Sequence, residues 1–271
     1  MEKEYGGYLP LELSKGRPYY TGDDVIALNA GRYAITYAIE EAGWKKIYLP
    51  YWLCDTVKDA IHVCLPNVEI GYYHIDEQLL PTDVTLYDQE GILWVNYFGL
   101  QSELVIEHLV HQFHGQIIID NTQSFFTEPH PQAWQVYSCR KFFGVSDGSY
   151  VIHQGITRKD IPAHHSSLHA IHLLHSLEQG TNYSYSLNKE NETQLGTCGP
   201  ASMSILTSSI LASVDYKSIQ AIRIHNLAAL HQILAPYNEF PVFRAVPAMS
   251  YPFLWKGLGL REILIQNKIY V

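Results

Sequence analysis

Lys141 is the residue of this sequence best placed to act as a nucleophile. It follows a predicted strand and precedes a glycine-containing turn, in the segment YSCRKFFGVSDGSYV at residues 137–151. A lone lysine is ordinarily a solvated surface charge. It becomes a nucleophile only after losing its proton, which desolvation and the neighbouring positive charge of Arg140 would favour. We therefore predict that Lys141 forms a Schiff base with a cofactor, and that the Ser138 hydroxyl meets a phosphate oxygen.

A carboxylate and an amide lie at the end of a second apolar strand. Asp120 closes the run IIID, and Gln123 comes three residues later in IIIDNTQSFF. An aspartate at such a place is usually a helix cap or a turn residue. Beside a pyridine ring it has another task, because its carboxylate pairs with the ring nitrogen and keeps that nitrogen protonated. Gln123 would then reach the ring face or a phenolic oxygen on it.

A third candidate segment, ALNAGRYAITYAIEEAG at residues 27–43, runs from a strand into a helix through Gly31 and Arg32. Glycine lets the backbone approach a ligand, and the free N–H groups of a helix N-terminus attract phosphate. Turn chemistry alone favours an ordinary strand–helix turn. The three segments support one another because each lies at the end of a predicted strand.

Short apolar runs alternate with helical patterns through the first half of the chain. Strands are predicted at 45–50, 67–75, 91–98, 115–120, 134–138 and 148–153. Residues 54–64 and 102–113 predict helices, because their apolar positions recur at helical spacing. This alternation indicates parallel βαβ units with helices on both faces of a sheet. Ligands of such sheets bind beyond the carboxyl ends of the strands, where Asp120 is expected.

From about residue 160 the pattern changes to helices. They are predicted at 161–180, 201–215 and 216–234. The polar stretch 181–200 is predicted as a loop, and a short strand–helix tail is predicted from residue 251. We therefore divide the chain into a large α/β domain, residues 1–215, and a partial small C-terminal segment, residues 216–271.

Composition excludes several classes of function. The net charge is −9 over 271 residues and no basic run is present, which argues against a nucleic-acid partner. No apolar run approaches the roughly 20 residues of a membrane span. The first residues lack the layout of a signal peptide, and the four cysteines are scattered as in proteins with reduced thiols. We expect a soluble, cytoplasmic protein with an aromatic interior, since 20 residues are tyrosine.

The three segments together resemble the DegT/DnrJ/EryC1/StrS family of pyridoxal-phosphate (PLP)-dependent sugar aminotransferases, in particular a compact branch of it. The strand-Asp-x-x-Gln motif of the family is matched by Asp120 and Gln123. Its lysine segment is matched by Lys141 with the Asp147–Gly148 turn, and its phosphate-binding turn by residues 29–32. The likeness covers most of residues 1–160 and implies PLP-dependent fold type I, a mostly parallel sheet flanked by helices, with a shortened C-terminal small domain.

The resemblance also implies roles for single residues. Lys141 would hold PLP and Asp120 would pair with its ring nitrogen, which makes these two the catalytic candidates. The phosphate would lie against Gly31, Arg32 and Ser138. Gln123 would contact the ring.

Two positions depart from the family pattern. Ser138 stands closer to the lysine than the family serine does. The residue that should stack on the cofactor ring falls near Cys54, which leaves Trp52 or Tyr51 to supply an aromatic surface.

The function implied by the resemblance is transfer of an amino group from an amino acid to a keto-sugar nucleotide in polysaccharide biosynthesis, by a homodimer. Lys141, once released from the cofactor, would be the general base at the substrate Cα. The alternative is a catalytically degenerate relative with a binding or regulatory role. The shortened C-terminus and the missing stacking aromatic favour that alternative, whereas the retained lysine, aspartate and glutamine favour the enzyme.

Two further features suggest other chemistry. His165, His169 and His172 would share one face of a predicted helix, where two imidazoles can bind zinc. Because no acid completes the set nearby, we predict a solvated or packed histidine face and no metal site. Cys139 lies beside Arg140 and could be a nucleophile, but we predict a small residue packed under the lysine segment.

Overall fold

A computed structural model describes residues 6–240 and 243–270. Its strands are β1 (Val25–Leu28), β2 (Lys46–Pro50), β3 (Glu69–Ile75), β4 (Pro81–Thr82), β5 (Glu90–Val95), β6 (Ile117–Asp120), β7 (Trp134–Ser138) and β8 (Ser149–Ile152). Its α-helices are α1 (Gly31–Ala42), α2 (Asp55–Cys64), α3 (Glu103–Gln112), α4 (Ile171–Gln179), α5 (Tyr185–Thr197), α6 (Ile205–Ala212), α7 (Tyr216–Leu234) and α8 (Leu260–Gln266). Residues 1–5, 241–242 and 271, which belong to the two predicted domains, lie outside the described residues.

The strands form one sheet in the order β1-β8-β7-β6-β5-β2-β3-β4. The five strands β7, β6, β5, β2 and β3 pair in parallel with their neighbours. β8 is antiparallel to both β7 and β1, and β4 is antiparallel to β3. The predicted α/β class with a mostly parallel central sheet is therefore confirmed.

The directions of the strands bring several chain segments to one edge of the sheet. The parallel strands β2, β5, β6 and β7 end there at Pro50, Val95, Asp120 and Ser138. Two successive antiparallel pairings separate β1 from β7, so β1 runs in the same direction as β7. Helix α1, which follows β1, consequently begins at this same edge with Gly31.

Helices cover both faces of the sheet. Leu93 and Ile118 pack on one face in a cluster that includes residues of α1 and α2. Their neighbours Trp94 and Ile119 pack on the other face with residues of α3. Adjacent residues of a strand point to opposite faces, so a strand covered on both sides must be apolar throughout. Burial of each such side chain contributes about 1.5–3 kcal/mol, which explains the run IIID.

An aromatic cluster anchors the segment that contains Lys141. The rings of Tyr20 and Tyr137 lie 4.4 Å apart, and those of Phe125 and Phe143 lie 4.8 Å apart. Phe143 and its neighbour Phe142 are both buried in this cluster. Because these two phenylalanines directly follow Lys141, their packing fixes where the lysine segment leaves β7.

Residues 181–200 are mostly helical, and the prediction of a loop there was wrong. Helix α5 buries Asn191 and Leu195, which are four residues apart and therefore on one face. The Asn191 Nδ2 donates to the Ser146 carbonyl at 2.8 Å, and the Tyr33 hydroxyl donates to the Leu195 carbonyl at 3.0 Å. These two positions anchor the polar helix. Because one of them is an asparagine, the sequence shows no repeat of apolar residues at helical spacing.

The helix predicted at 161–180 begins only at Ile171; a 3₁₀ turn over Ser167–His169 precedes it, and the chain before that turn pairs with a distant segment. Ala163 bridges to Ser202, and the Ser202 N–H donates to the Pro162 carbonyl at 2.9 Å. The predicted strand 91–98 stops at Val95 and continues as a 3₁₀ turn over Tyr97–Gly99.

The C-terminal part contains α7 and α8 but no strand at the predicted residues 251–255. The Arg223 Nη2 of α7 donates to the Phe142 carbonyl at 3.0 Å, so α7 contacts the lysine segment of the large domain. The division at residue 215 stays a prediction. None of the helices in the described part of the chain combines the length and the hydropathy needed to cross a membrane.

A buried carboxylate connects the lysine segment to helix α6. Asp147 is fully buried, and its carboxylate accepts hydrogen bonds from the Ser204 N–H at 2.8 Å and from the Ser204 hydroxyl at 2.7 Å. The Thr207 hydroxyl donates to the same carboxylate. Ser204 is also the N-cap of α6, which places the negative charge at the favourable end of the helix dipole.

We predict that Asp147→Ala destabilises the protein by about 3 kcal/mol, because three buried donors lose a charged acceptor. The free energy of unfolding is to be measured by urea denaturation. Asp160→Ala is the matched control, since Asp160 is exposed, and it should change stability by less than about 0.5 kcal/mol. Equal urea midpoints for the two variants would contradict the role given to Asp147.

Candidate functional site

A cavity of about 600 Å³ lies at the edge of the sheet where the parallel strands end. All eight residues that we selected from the sequence line it. They are Gly31, Arg32, Trp52, Cys54, Asp120, Gln123, Ser138 and Lys141. These residues come from four separate segments of the chain, and the strand directions bring them together.

Thr122 connects the two catalytic candidates. Its backbone N–H donates to the Asp120 Oδ1 at 2.9 Å, and its hydroxyl accepts from the Lys141 Nζ at 3.3 Å. Asp120 itself is buried, with 4% of its surface exposed. A carboxylate and an amine thus approach the same threonine from two neighbouring strands.

Lys141 lies in the turn after β7 and is exposed. The backbone of the segment is fixed, because Cys139 and Phe142 on either side of it are buried. The amine is therefore accessible to a ligand in the cavity.

Gln123 is oriented by the turn that follows β5. Its side-chain Oε1 accepts from the Phe98 N–H at 3.2 Å. Phe98 has a φ of 59°, a conformation that non-glycine residues seldom adopt. The carbonyl end of the glutamine is thereby engaged, so its NH₂ group is the end that can donate to a ligand oxygen.

Trp52 and Tyr97 form an aromatic wall of the cavity. Their rings are 4.8 Å apart and inclined by only 12°, and the Tyr97 hydroxyl donates to the Trp52 carbonyl. Burial and the nearby Asp120 carboxylate raise the pKa of Tyr97 well above its ordinary value. The phenol therefore stays protonated and keeps this hydrogen bond, which fixes the wall.

The two other candidates for the stacking position differ in their placement. Tyr51 stacks on Tyr72 with ring centres 5.2 Å apart and lies outside the set of residues that line the cavity. Cys54 lines the cavity beside the start of α2, with its Sγ 3.2 Å from the Thr56 Oγ1. Of the two aromatic substitutes that we named, only Trp52 is in position to contact a ligand.

The N-terminus of α1 opens into the cavity through Gly31. Among the described residues, no side chain caps this helix end, whose N-cap is Ala30. A Cβ at Gly31 would stand 3.3 Å from the Thr122 Cγ2, a tight contact. Glycine therefore keeps space open between the helix N–H groups and Thr122, as an anion at a helix N-terminus requires.

Two guanidinium groups and one carboxylate complete this end of the cavity. Arg140 forms an ion pair with Glu192, and the Arg32 Nη2 lies 3.9 Å from the same carboxylate. Burial, and secondarily the charge of Arg32, lowers the pKa of Arg140 to about 10. Arg140 therefore remains a cation at neutral pH, and two guanidinium groups face one carboxylate in this corner of the cavity.

Three lining residues that orient the site, Thr122, Tyr97 and Glu192, were not among those selected from the sequence. Thr122 stands inside the Asp-x-x-Gln motif, and Tyr97 stands near the end of the predicted strand 91–98, so both had a signal. Glu192 had none, because it belongs to the helix that we predicted as a loop.

The histidines do not form the predicted helix face. Helix α4 begins at Ile171, so His165 and His169 precede it and His172 lies within it. The ring of His175 instead stacks on that of Tyr183. Within residues 6–240 and 243–270, no three histidine, cysteine or acidic side chains come together as metal ligands would.

Cys139 is packed as we predicted. It is fully buried beneath the lysine segment, and burial, with a smaller effect of the Asp147 charge, raises the pKa of its thiol well above the usual value. A protonated, enclosed thiol is a poor nucleophile.

Comparison with solved structures identifies the fold. The chain superposes on a candidate PLP-dependent aminotransferase from Bacillus cereus ATCC 10987 with a TM-score of 0.51 and 12% identity, over 91% of this chain and 70% of that one. It also matches 3-amino-5-hydroxybenzoic acid synthase (TM-score 0.49, 12% identity, 79% and 57% covered). A third match is O-acetylhomoserine sulfhydrylase of Wolinella succinogenes (TM-score 0.43, 20% identity, 79% and 61% covered). The chain has the fold of PLP-dependent fold type I enzymes.

Sequence comparison adds no relative to this set. No family model matches the chain, and no curated protein matches it. The chain spans about three fifths of the length of the sulfhydrylase and of the synthase, 61% and 57% respectively.

We predict that Trp52→Ala weakens binding of PLP about fivefold, because one wall of the cavity loses its stacked ring. Tyr51→Ala is the matched control, since this neighbouring aromatic stacks on Tyr72 instead, and it should leave the dissociation constant unchanged. Absorbance titration with PLP measures both constants. Equal losses in the two variants would mean that Trp52 has no special contact with the ligand.

Proposed function

We propose that this protein is a PLP-dependent enzyme of the aminotransferase type, as its fold and its cavity together suggest. The observation that carries the proposal is the placement of Asp120, Thr122 and Lys141. The threonine hydroxyl accepts from the lysine amine while its N–H donates to the aspartate carboxylate. A buried carboxylate and an accessible amine at the carboxyl edge of a parallel sheet are the two groups that PLP chemistry needs from its protein.

The residues present fit the cofactor. Lys141 would bind its aldehyde carbon, and Asp120 would accept a hydrogen bond from its ring nitrogen. Gly31, Arg32 and Ser138 would receive the phosphate. The open space that glycine preserves beside Thr122 supports this assignment, since a Cβ at residue 31 would narrow the cavity at that point.

The cavity also has suitable size and walls. Its volume of about 600 Å³ lies within the range usual for cofactor sites. Trp52 offers a flat surface beside Tyr97, and the Gln123 NH₂ group is available for the phenolic oxygen of the ring. Cys54 lines the same side, where the smaller thiol leaves room next to Trp52.

Bound PLP would supply an electron sink for the breaking of bonds at the substrate Cα. The protein residues would control the protons. Asp120, as a carboxylate, would stabilise the proton on the ring nitrogen. Lys141, when its amine is free, would accept the Cα proton and deliver it again.

The substrate class follows from the resemblance to the DegT/DnrJ/EryC1/StrS family. We propose an amino acid as the donor and a keto-sugar nucleotide as the acceptor, in polysaccharide biosynthesis in the cytoplasm. A homodimer is proposed on the same basis. The domain division at residue 215 belongs to this proposal, with residues 216–271 as a small C-terminal segment.

The first test is an absorbance spectrum of the protein with added PLP. We expect a band near the visible edge that disappears on borohydride reduction, and no such band in Lys141→Ala, which lacks the amine that binds the aldehyde. The matched control is Lys45→Ala, because Lys45 is exposed and precedes β2 at the opposite edge of the sheet. It should keep the band in full.

Two outcomes would contradict the proposal. A band of equal strength in Lys141→Ala would assign the covalent bond to another amine. No band at any PLP concentration would remove the cofactor, and a non-catalytic protein with a binding or regulatory role would then be the better account.

A second prediction concerns Asp120. Asp120→Asn should still bind PLP through Lys141, but its reaction with an amino-acid donor should slow about 100-fold or more, because the carboxylate that keeps the ring nitrogen protonated is lost and the ring becomes a weaker electron sink. Single-turnover bleaching of the band by a series of amino acids measures this rate. Unchanged rates would show that Asp120 is a structural residue of the strand end.

A further inference from the structure

Helix α5 places a carboxylate in the part of the cavity where an anion is expected. Glu192 follows Asn191, which is 2% exposed and bound to the Ser146 carbonyl. Leu195, one turn later, is also buried, and its carbonyl accepts from the Tyr33 hydroxyl of α1. The helix is therefore anchored on both sides of Glu192, which fixes the backbone position from which this carboxylate reaches the arginines.

The Glu192 carboxylate contacts two guanidinium groups that line the cavity. Arg140 pairs with it directly, and Arg32 approaches it to 3.9 Å. The side chains of Arg32 and Arg140 are 14% and 18% exposed, so little water competes for these cations. A carboxylate held by two partly buried arginines occupies an environment that equally suits a phosphate group.

The charges of the cavity show what this carboxylate does to a ligand. Three cations line it, Arg32, Arg140 and Lys141, against two carboxylates, Asp120 and Glu192. Asp120 accepts from the Thr122 N–H and has a separate proposed role at the ring nitrogen. Glu192 is thus the one carboxylate, among the described lining residues, that halves the positive charge available to an anion at the arginines.

We propose that Glu192 is an internal competitor for the phosphate end of the ligand, holding the two guanidinium groups until a phosphate ester displaces it. This inference rests on the proposed function, because it takes the phosphate of PLP as the displacing anion. It makes Glu192 a positioning residue that weakens binding of phosphorylated ligands and leaves the covalent chemistry at Lys141 unchanged.

A purely structural role for Glu192 predicts the opposite result. If the carboxylate only neutralises two crowded arginines and holds Arg140 in a productive orientation, then its removal disorders the arginines. Phosphate binding would in that case weaken. The sign of the change in phosphate affinity therefore decides between the two roles.

The test compares Glu192→Gln with Glu190→Gln, which removes the same charge from an exposed position of the same helix. Dissociation constants for PLP and for pyridoxal, which lacks the phosphate, are measured for each variant and for the wild type. We expect Glu192→Gln to bind PLP about fivefold more tightly and pyridoxal with unchanged affinity, as loss of one partly exposed charge pair allows. Glu190→Gln should match the wild type for both ligands.

Inorganic phosphate provides a readout that is independent of Lys141. It should raise the melting temperature of Glu192→Gln more than that of the wild type at equal concentration. If the glutamine variant fails to fold, Glu192→Asp is used instead, since the shorter side chain withdraws from Arg140 and should give a smaller change of the same sign.

Weaker or unchanged PLP binding by Glu192→Gln, with the pyridoxal affinity constant, would overturn the inference. A parallel change in PLP and pyridoxal affinity would also overturn it, because the effect would not depend on the phosphate. Failure of the proposed function gives a different pattern, in which neither ligand binds the wild type or any variant covalently.

Discussion

The common direction of five neighbouring strands is the constraint on which the rest of this structure depends. A parallel sheet gathers the carboxyl ends of its strands at one edge, and short connections from those ends then face one another across it. β6 delivers Asp120 and β7 delivers Ser138 and the Lys141 segment to this edge. β8 is antiparallel to both β7 and β1, so β1 runs in the same direction as β7. The start of α1 with Gly31 therefore reaches this edge as well. Residues more than 100 positions apart thereby share one cavity.

At this edge, the segments that carry the site residues are positioned partly by apolar packing and partly by hydrogen bonds. The aromatic cluster and the buried carboxylate of Asp147 hold the lysine segment through residues that do not line the cavity. Thr122 and Gln123 do line the cavity, and they are held by Asp120 and by the backbone of Phe98. The backbones of the lysine segment and of the segment after β6 are thus both fixed, and the lysine amine remains accessible. This arrangement suits a ligand that binds covalently at one atom and is oriented at several others.

Charge is distributed unevenly along the cavity. The Asp120 carboxylate is buried and accepts from the Thr122 N–H, whereas Arg32 and Arg140 share the Glu192 carboxylate. A ligand with a cationic ring nitrogen and an anionic tail would meet a carboxylate with its ring and the arginines with its tail. The presence of Glu192 means that the positive charge of the arginines is already partly neutralised by the protein. The affinity of an anionic ligand for the arginines therefore depends on how well it replaces the Glu192 carboxylate, and not on charge attraction alone.

The sequence by itself determined the α/β class, most of the strand ends and the identity of the residues at those ends, because apolar runs and the Asp-x-x-Gln and lysine motifs are local features. It did not reveal α5, since that helix is held by Asn191 and Leu195 against distant segments and has no apolar period of its own. It could not choose between Trp52 and Tyr51 either, because neighbouring residues after a strand differ only in where they point. The tertiary structure decided both, by turning Trp52 onto Tyr97 and by bringing Glu192 to the arginines. Contacts between residues far apart in sequence produce no periodic pattern of apolar residues. In this protein such contacts determine the charge and the walls of the cavity.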